Sequence, residues 1–195
     1  MSLSKADWIE AALIALTRDG LGGVAIERLA RSLGATKGSF YWHFADRAAL
    51  IAATLELWER RETTEVIERI QDIDDPRERL TALGRGAYAG AAQGNAHAAV
   101  LAAASDPRVG PVLERVTRAR LAFLERLYSD LGVPADQAAR HARLAYTLYL
   151  GIGELRRADP DSDPDGPELD AYLNLAVASM IPPTLPASNA GGQAP

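Results

Sequence analysis

Cysteine is absent from the chain, which excludes disulfides, thiol nucleophiles and thiolate metal sites. Histidine is scarce: His43, His97 and His141 never fall at a short spacing such as H-x-x-x-H, so neither a zinc site nor any other cofactor is expected. No apolar run reaches the roughly 18 residues of a membrane span. The opening MSLSKADWIEAALI is interrupted by Asp7 and Glu10 and lacks the basic start of a secretory leader. The expected location is therefore the cytoplasm, with no membrane partner. Alternating strand patterns and internal repeats are missing as well. An enzyme would need a convergent acid, base or nucleophile set, and scattered carboxylates such as Glu154 do not supply one, so no catalytic residue is expected.

What remains is a helical chain with ample material for a core, 48% of its 195 residues being hydrophobic. Its net charge of -5 is unevenly spread. Up to residue 50, Lys5, Arg18, Arg28, Arg31, Lys37 and Arg47 outnumber Asp7, Glu10, Asp19, Glu27 and Asp46 by one, which leaves the rest acidic. A weakly positive head on an acidic body suits a DNA module joined to a part that does not touch DNA.

Apolar spacings of three and four, punctuated by turn residues, predict nine helices. The first starts at Ser4, with Asp7 placed to complete its cap, buries Ile9, Ala12, Leu13 and Leu16, and stops at Gly20. A second covers about 26–33, and Thr36 caps a third over 37–44. Asp46 caps a long fourth carrying Leu50, Ile51, Leu55, Trp58 and Ile67. Asp75-Pro76 opens a fifth, to about Gln93, and Asn95 caps a sixth through HAAVLAAA. Asp106-Pro107 opens a seventh, running to Leu131 with Gly110-Pro111 as the place for a bend. The eighth is expected over 135–157. After the acidic, proline-rich connection 158–168 comes a ninth, over 168–181, and then a disordered tail.

Two short helices joined at Gly34-Ala35, with a longer one to pack on, make a helix-turn-helix. In the stretch ATKGSFYWHF, Phe40 and Phe44 lie at i and i+4 and face the core. Lys37, Ser39, Tyr41 and His43 are left outside. Lys37 and Ser39 sit where a recognition helix meets base edges, and Gly38 allows close backbone approach. Tyr41, His43 and Arg47 are placed to meet phosphates. Thr36 and Trp42 complete the expected DNA-binding surface.

The stretch 26–50, IERLARSLGATKGSFYWHFADRAAL, resembles the signature of the TetR family of bacterial transcriptional repressors: LA-x-x-LG, a capped KGSFYWHF helix, then an Asp and a basic residue opening the next helix. The resemblance implies an all-α homodimer. Its N-terminal heads would bind a palindromic double-stranded operator, and its bodies would bind a small effector and dimerise through helices eight and nine. The implied division is a DNA-binding head, 1–46, an effector-binding and dimerisation body, 47–182, and a tail, 183–195. One departure stands out: Val24-Ala25-Ile26 replaces the threonines with which many members open the second helix, so no hydroxyl is available as cap.

For the body, Leu144, Leu148, Gly151 and Leu155 form one stripe on the eighth helix, and the ninth offers Leu169, Leu173, Ala176, Val177 and Met180. Such stripes fit either a second copy or burial in their own body. Trp58, Tyr88, His97, Phe123, Tyr146 and Tyr149 are the candidates to line an effector cavity, although each is more readily read as an ordinary packing residue. The alanines of 87–104 fit a roomy cavity or tight packing, and the mostly uncharged candidates favour a neutral or aromatic apolar effector. The remaining alternative is a helical adaptor or nucleoid-type protein without an effector. A head charge of only +1 argues against it, because nonspecific binding depends on many phosphate neutralisations.

Overall fold

The computed structural model describes residues 3–92, 96–159, 161, 164 and 166–180, among which there are nine helices and no strand. In the head, α1 (Lys5–Asp19) starts on a reciprocal cap: the Asp7 backbone donates to Ser4 Oγ at 3.2 Å, and the Ser4 backbone donates to the Asp7 carboxylate at 2.6 Å. Its buried face carries Trp8, Ala12, Ala15 and Leu16, with Ile9 and Leu13 only partly covered, so the stripe lies slightly to one side of the expected one. The chain reverses through a 3₁₀ turn, Leu21–Gly23. A Cβ on Gly23 would meet the Ala15 carbonyl oxygen at 2.5 Å, and only glycine fits there.

Helix α2 (Ile26–Ser32) begins on Ala25, which makes no side-chain cap. Gly34, at φ 63°, turns the chain toward α3, and the Ala35 backbone donates to the Ala30 carbonyl at 2.8 Å. The expectation of a third helix reaching residue 44 does not hold: α3 is the single turn Lys37–Phe40. Beyond it His43 donates back to the Phe40 carbonyl over three residues, a tighter turn that brings the Phe44 ring under Phe40.

Asp46 accepts from the Ala49 backbone at 2.8 Å and starts α4 (47–71), which runs as Arg47–Glu59, a π turn over Arg60–Thr64, and Glu65–Gln71. The π turn was not legible in the apolar spacing. The body continues with α5 (Pro76–Ala92), α6 (Ala96–Ala102), α7 (Gly110–Asp130), α8 (Ala135–Ala158) and α9 (Gly166–Met180). The seventh helix opens at Gly110 rather than at Asp106-Pro107, because the Asp106 carboxylate is taken by the Arg108 backbone at 2.9 Å and by its guanidinium in a separate turn. Asn95, the far end of the fifth helix at Gln93, Ile181 and the tail 183–195 lie outside the described residues, as does part of the acidic connection.

Two apolar cores result. The first joins Trp8, Leu16, Val24, Leu29, Phe40, Phe44, Leu50, Ile51 and Trp58 to Val100, Val109, Leu113 and Val116, so the head's core runs on into α6 and the start of α7. The second gathers Leu80, Leu124, Leu127, Tyr128, Ala138, Ala142, Tyr146, Val177 and Met180. Helices α7 and α8 pack along each other, and α5 meets α9 closely at Gly84. On α9, Val177 and Met180 turn into this core and Leu173 is buried on the same side, so of the two readings left open for this stripe they follow burial in their own body; Leu175, 68% exposed, faces out instead. On α8, Leu144, Leu148 and Leu155 remain exposed, with Gly151 among them.

Candidate nucleic-acid interface and inner pocket

A four-residue helix cannot hold itself in water, so α3 depends on what lies beneath it. Phe40 is fully buried, with the edge of Trp8 at 5.3 Å between ring centroids and Phe44 stacked at 5.5 Å. Thr36 Oγ1 accepts from the Ser39 backbone at 3.2 Å, and Ser39 Oγ donates to the Thr36 carbonyl at 2.8 Å. These contacts fix the turn and leave the opposite face to solvent: Tyr41 is 53% exposed and Trp42 87%. Lys37 Nζ lies 2.9 Å from the Glu27 carboxylate, but both side chains are exposed. Such a pair is weakly held and a duplex could displace it. A Cβ on Gly38 would touch only Thr36 Oγ1, at an ordinary 3.6 Å, so nothing inside the head requires glycine there. Glycine in a helix nevertheless costs about 1 kcal/mol relative to alanine, which points outward for its reason.

Arg47 is a different matter. Its Nε donates to the Val24 carbonyl at 2.5 Å and its Nη2 to the Leu21 carbonyl at 2.6 Å, so the guanidinium expected on phosphate ties α4 to the turn between α1 and α2. His43 is half-buried beside the outer face. Thr36, Lys37, Gly38, Tyr41 and Trp42 are thus exposed and Ser39 partly so, while Arg47 is engaged with the turn between α1 and α2.

In the body, a cavity of about 560 Å³ opens among α4, α5, α7, α8 and α9, walled by Val66, Ile70, Leu83, Phe123, Tyr149 and Ala176, among others. That volume is of the usual size for a small-molecule site. Of the six expected lining residues, Phe123, Tyr146 and Tyr149 are on the wall. Trp58, His97 and Tyr88 are not, because packing covers each. Trp58 stacks on His97 at 5.8 Å, His97 meets the Tyr149 ring at 5.4 Å, and Tyr88 lies between Arg156, at 3.9 Å, and Tyr172, at 5.6 Å. The small residues divide between the two readings left open by the sequence: Ala87 and Gly90 line the cavity, while Ala96 packs in the first core.

Arg120 is the functional candidate that the sequence reading missed. It reaches the wall from α7, donates from Nε to Thr63 Oγ1 at 2.9 Å and from Nη2 to the Glu62 carbonyl at 2.8 Å, and lies 3.3 Å from both Tyr149 Oη and His97 Nδ1. Its signal was in the spacing: Leu113, Val116, Arg120, Phe123 and Leu127 share one face, so an arginine stood on a buried stripe. Because a guanidinium only donates, His97 Nδ1 must accept, which places the imidazole proton on Nε2. Burial, with the Arg120 charge beside it, holds the His97 pKa down to about 3, so the ring is neutral. Among the described residues no group of three or more His, Asp or Glu side chains could hold a metal ion, and no helix is long and apolar enough to cross a membrane.

Residues 9–54, covering most of α1, all of α2 and α3 and the start of α4, match the family described as bacterial regulatory proteins, tetR family. This is a tetR-family head. Over most of its length the chain is also similar in fold to solved structures. Escherichia coli NemR in its reduced form is similar with a TM-score of 0.69 at 18% identity, over 90% of this chain and 94% of that one. The fatty acid degradation regulator FadR of Bacillus halodurans gives 0.69 at 15% identity, over 91% and 94%. FadR of Bacillus subtilis, solved in complex with stearoyl-CoA, gives 0.61 at 15% identity, over 92% and 98%. At such identities the likeness is one of fold. No curated protein sequence matches the chain. Within the tetR-family head, the match takes in Thr36 to Trp42 and Arg47.

Proposed function

We propose that the chain is a ligand-responsive transcriptional repressor that binds a palindromic operator as a homodimer and releases it when a small molecule fills the body cavity. The observation that carries the proposal is the outer side of α3 and of the turn after it, where Lys37, Gly38, Tyr41 and Trp42 are held in place by the core yet are not used by it. Lys37 and Ser39 would meet base edges, and Tyr41 and His43 the phosphates. One head offers few such contacts, whereas a symmetric pair spans half-sites about 34 Å apart. The exposed Leu144, Leu148 and Leu155 of α8, with Leu175 of α9, are the face for the second copy.

The effector reading rests on the apolar cavity, and the fold of Bacillus subtilis FadR, solved with stearoyl-CoA, supports it. The signal would pass along α4, whose first half, from Leu50 to Trp58, is built into the head's core and whose π turn meets Arg120 at the cavity. A ligand that moves Arg120 would shift the register of α4 and with it the spacing of the two heads; the shift is limited by the ligand's differential affinity for the two states. Mobility shifts on a selected operator test the proposal. Lys37→Ala should relax sequence preference, and Tyr41→Phe should weaken all sequences alike. If neither variant changes binding, α3 is not the reading element.

A further inference from the structure

Arg120 also bears on what the cavity accepts. All four of its hydrogen-bond partners among the described residues are uncharged: a threonine hydroxyl, a backbone carbonyl, a tyrosine hydroxyl and a neutral imidazole. Two aromatic faces lie near it as well, Trp58 at 5.8 Å and Tyr149 at 5.5 Å. A half-buried cation kept among neutral acceptors is costly when the remaining water is expelled, and it becomes favourable when an anion enters with the ligand. The charged residues on the wall are Glu62, Arg69 and Arg120, a positive balance. Glu62 meets Arg120 through its backbone, and the Glu62 and Arg69 side chains are both exposed, which leaves Arg120 as the half-buried charge on the wall. The rest of the wall is dominated by Val, Ile, Leu, Ala and aromatic side chains, which favours an apolar body on the same molecule.

Resting on the effector reading above, we propose that the cavity takes an amphiphile with an apolar body and an anionic end, a carboxylate or its equivalent, seated on Arg120. This replaces the neutral effector suggested by the sequence. A neutral molecule of the same shape would desolvate Arg120 and give it no counter-charge, whereas a carboxylate matches the planar fork of the guanidinium. Seating there would draw Arg120 from the Glu62 carbonyl, so binding and release of the π turn become one event.

The test is a calorimetric titration of the full chain with straight-chain carboxylic acids of increasing length, their methyl esters and the matching alkylammonium salts, all below their aggregation concentrations. One acid should bind per chain, about ten- to a hundredfold tighter than its ester, as expected for hydrogen bonds to a charged group. Affinity should rise about fourfold per added methylene until the cavity is full. Arg120→Gln should erase the acid-over-ester ratio, and Arg120→Lys should keep part of it. Since Arg120 also braces α4, the acid-to-ester ratio in the unaltered protein stands as a readout that needs no variant. Equal binding of acid and ester, a preference for the ammonium, or a ratio that survives Arg120→Gln each overturns the anion proposal while leaving a ligand-binding cavity. If no series binds to protein that still shifts its operator, the effector reading falls too, and this proposal with it.

Discussion

In the head, Phe40 and Phe44 stack on each other under the edge of Trp8, all three nearly or wholly buried, and Tyr41 and Trp42 on the next positions face water. In the body, Phe123, Tyr146 and Tyr149 stand around about 560 Å³ of open volume with a guanidinium at its edge. The residue types are the same and the packing is opposite. Close packing makes a short helix rigid enough to present a defined surface, which α3 cannot achieve through its own hydrogen bonds. Loose packing leaves room for a molecule that is not part of the chain, at a cost in the body's own stability. The first core joins the two regions, since α4, α6 and the start of α7 contribute to it alongside α1 to α3.

The largest test of this contrast is a matched pair. Phe40→Ala should cost about 3–5 kcal/mol in denaturant unfolding at fixed protein concentration. Phe123→Ala should cost less, because part of that ring already borders open volume. Equal losses would break the contrast. Next comes Arg47→Ala, expected to destabilise by about 1.5–3 kcal/mol, since it leaves the Val24 and Leu21 carbonyls without a charged donor. Its operator affinity should fall only as far as the head loosens, so a salt dependence reduced by one phosphate contact, with unchanged stability, would return Arg47 to the DNA surface.

A smaller effect is a slope. His97 has its folded pKa lowered from 6.5 to about 3, so between these values the unfolded chain binds a proton that the folded chain does not. Stability from this group is complete above pH 6.5 and declines as pH falls toward 3, by at most about 1.4 kcal/mol per pH unit. His97→Gln, which can still accept from Arg120, should flatten that limb relative to the unaltered protein. Parallel pH profiles would mean that water reaches the ring. The smallest expected change is a gain: Ala25→Thr supplies the missing cap of α2, worth about 1 kcal/mol in thermal stability. No gain would show that the uncapped end is already compensated.

Much of the head was legible in the chain, because its signals are local. The Ser4 and Asp46 caps, the Gly34 turn and the i, i+4 pair of Phe40 and Phe44 each act within a few residues. The same locality misled at Arg47: beside an N-cap and near a recognition helix it reads as a phosphate ligand, but its partners lie more than twenty residues back. In the body, candidate rings could be named, but which of them border open space depends on how five helices come together. Trp58, His97 and Tyr88 looked as suitable as Phe123, Tyr146 and Tyr149.

By itself the sequence determined that the chain is helical, about where most of its helices lie, and the caps at Ser4, Thr36 and Asp46, because hydrogen bonds and apolar spacing within one or two turns settle those. Only the tertiary structure decided that α4 carries a π turn, that Leu173, Val177 and Met180 face inward, and that Arg120 stands among neutral partners at a cavity wall. Each of these depends on contacts between segments far apart in the chain, whose energies no local pattern contains.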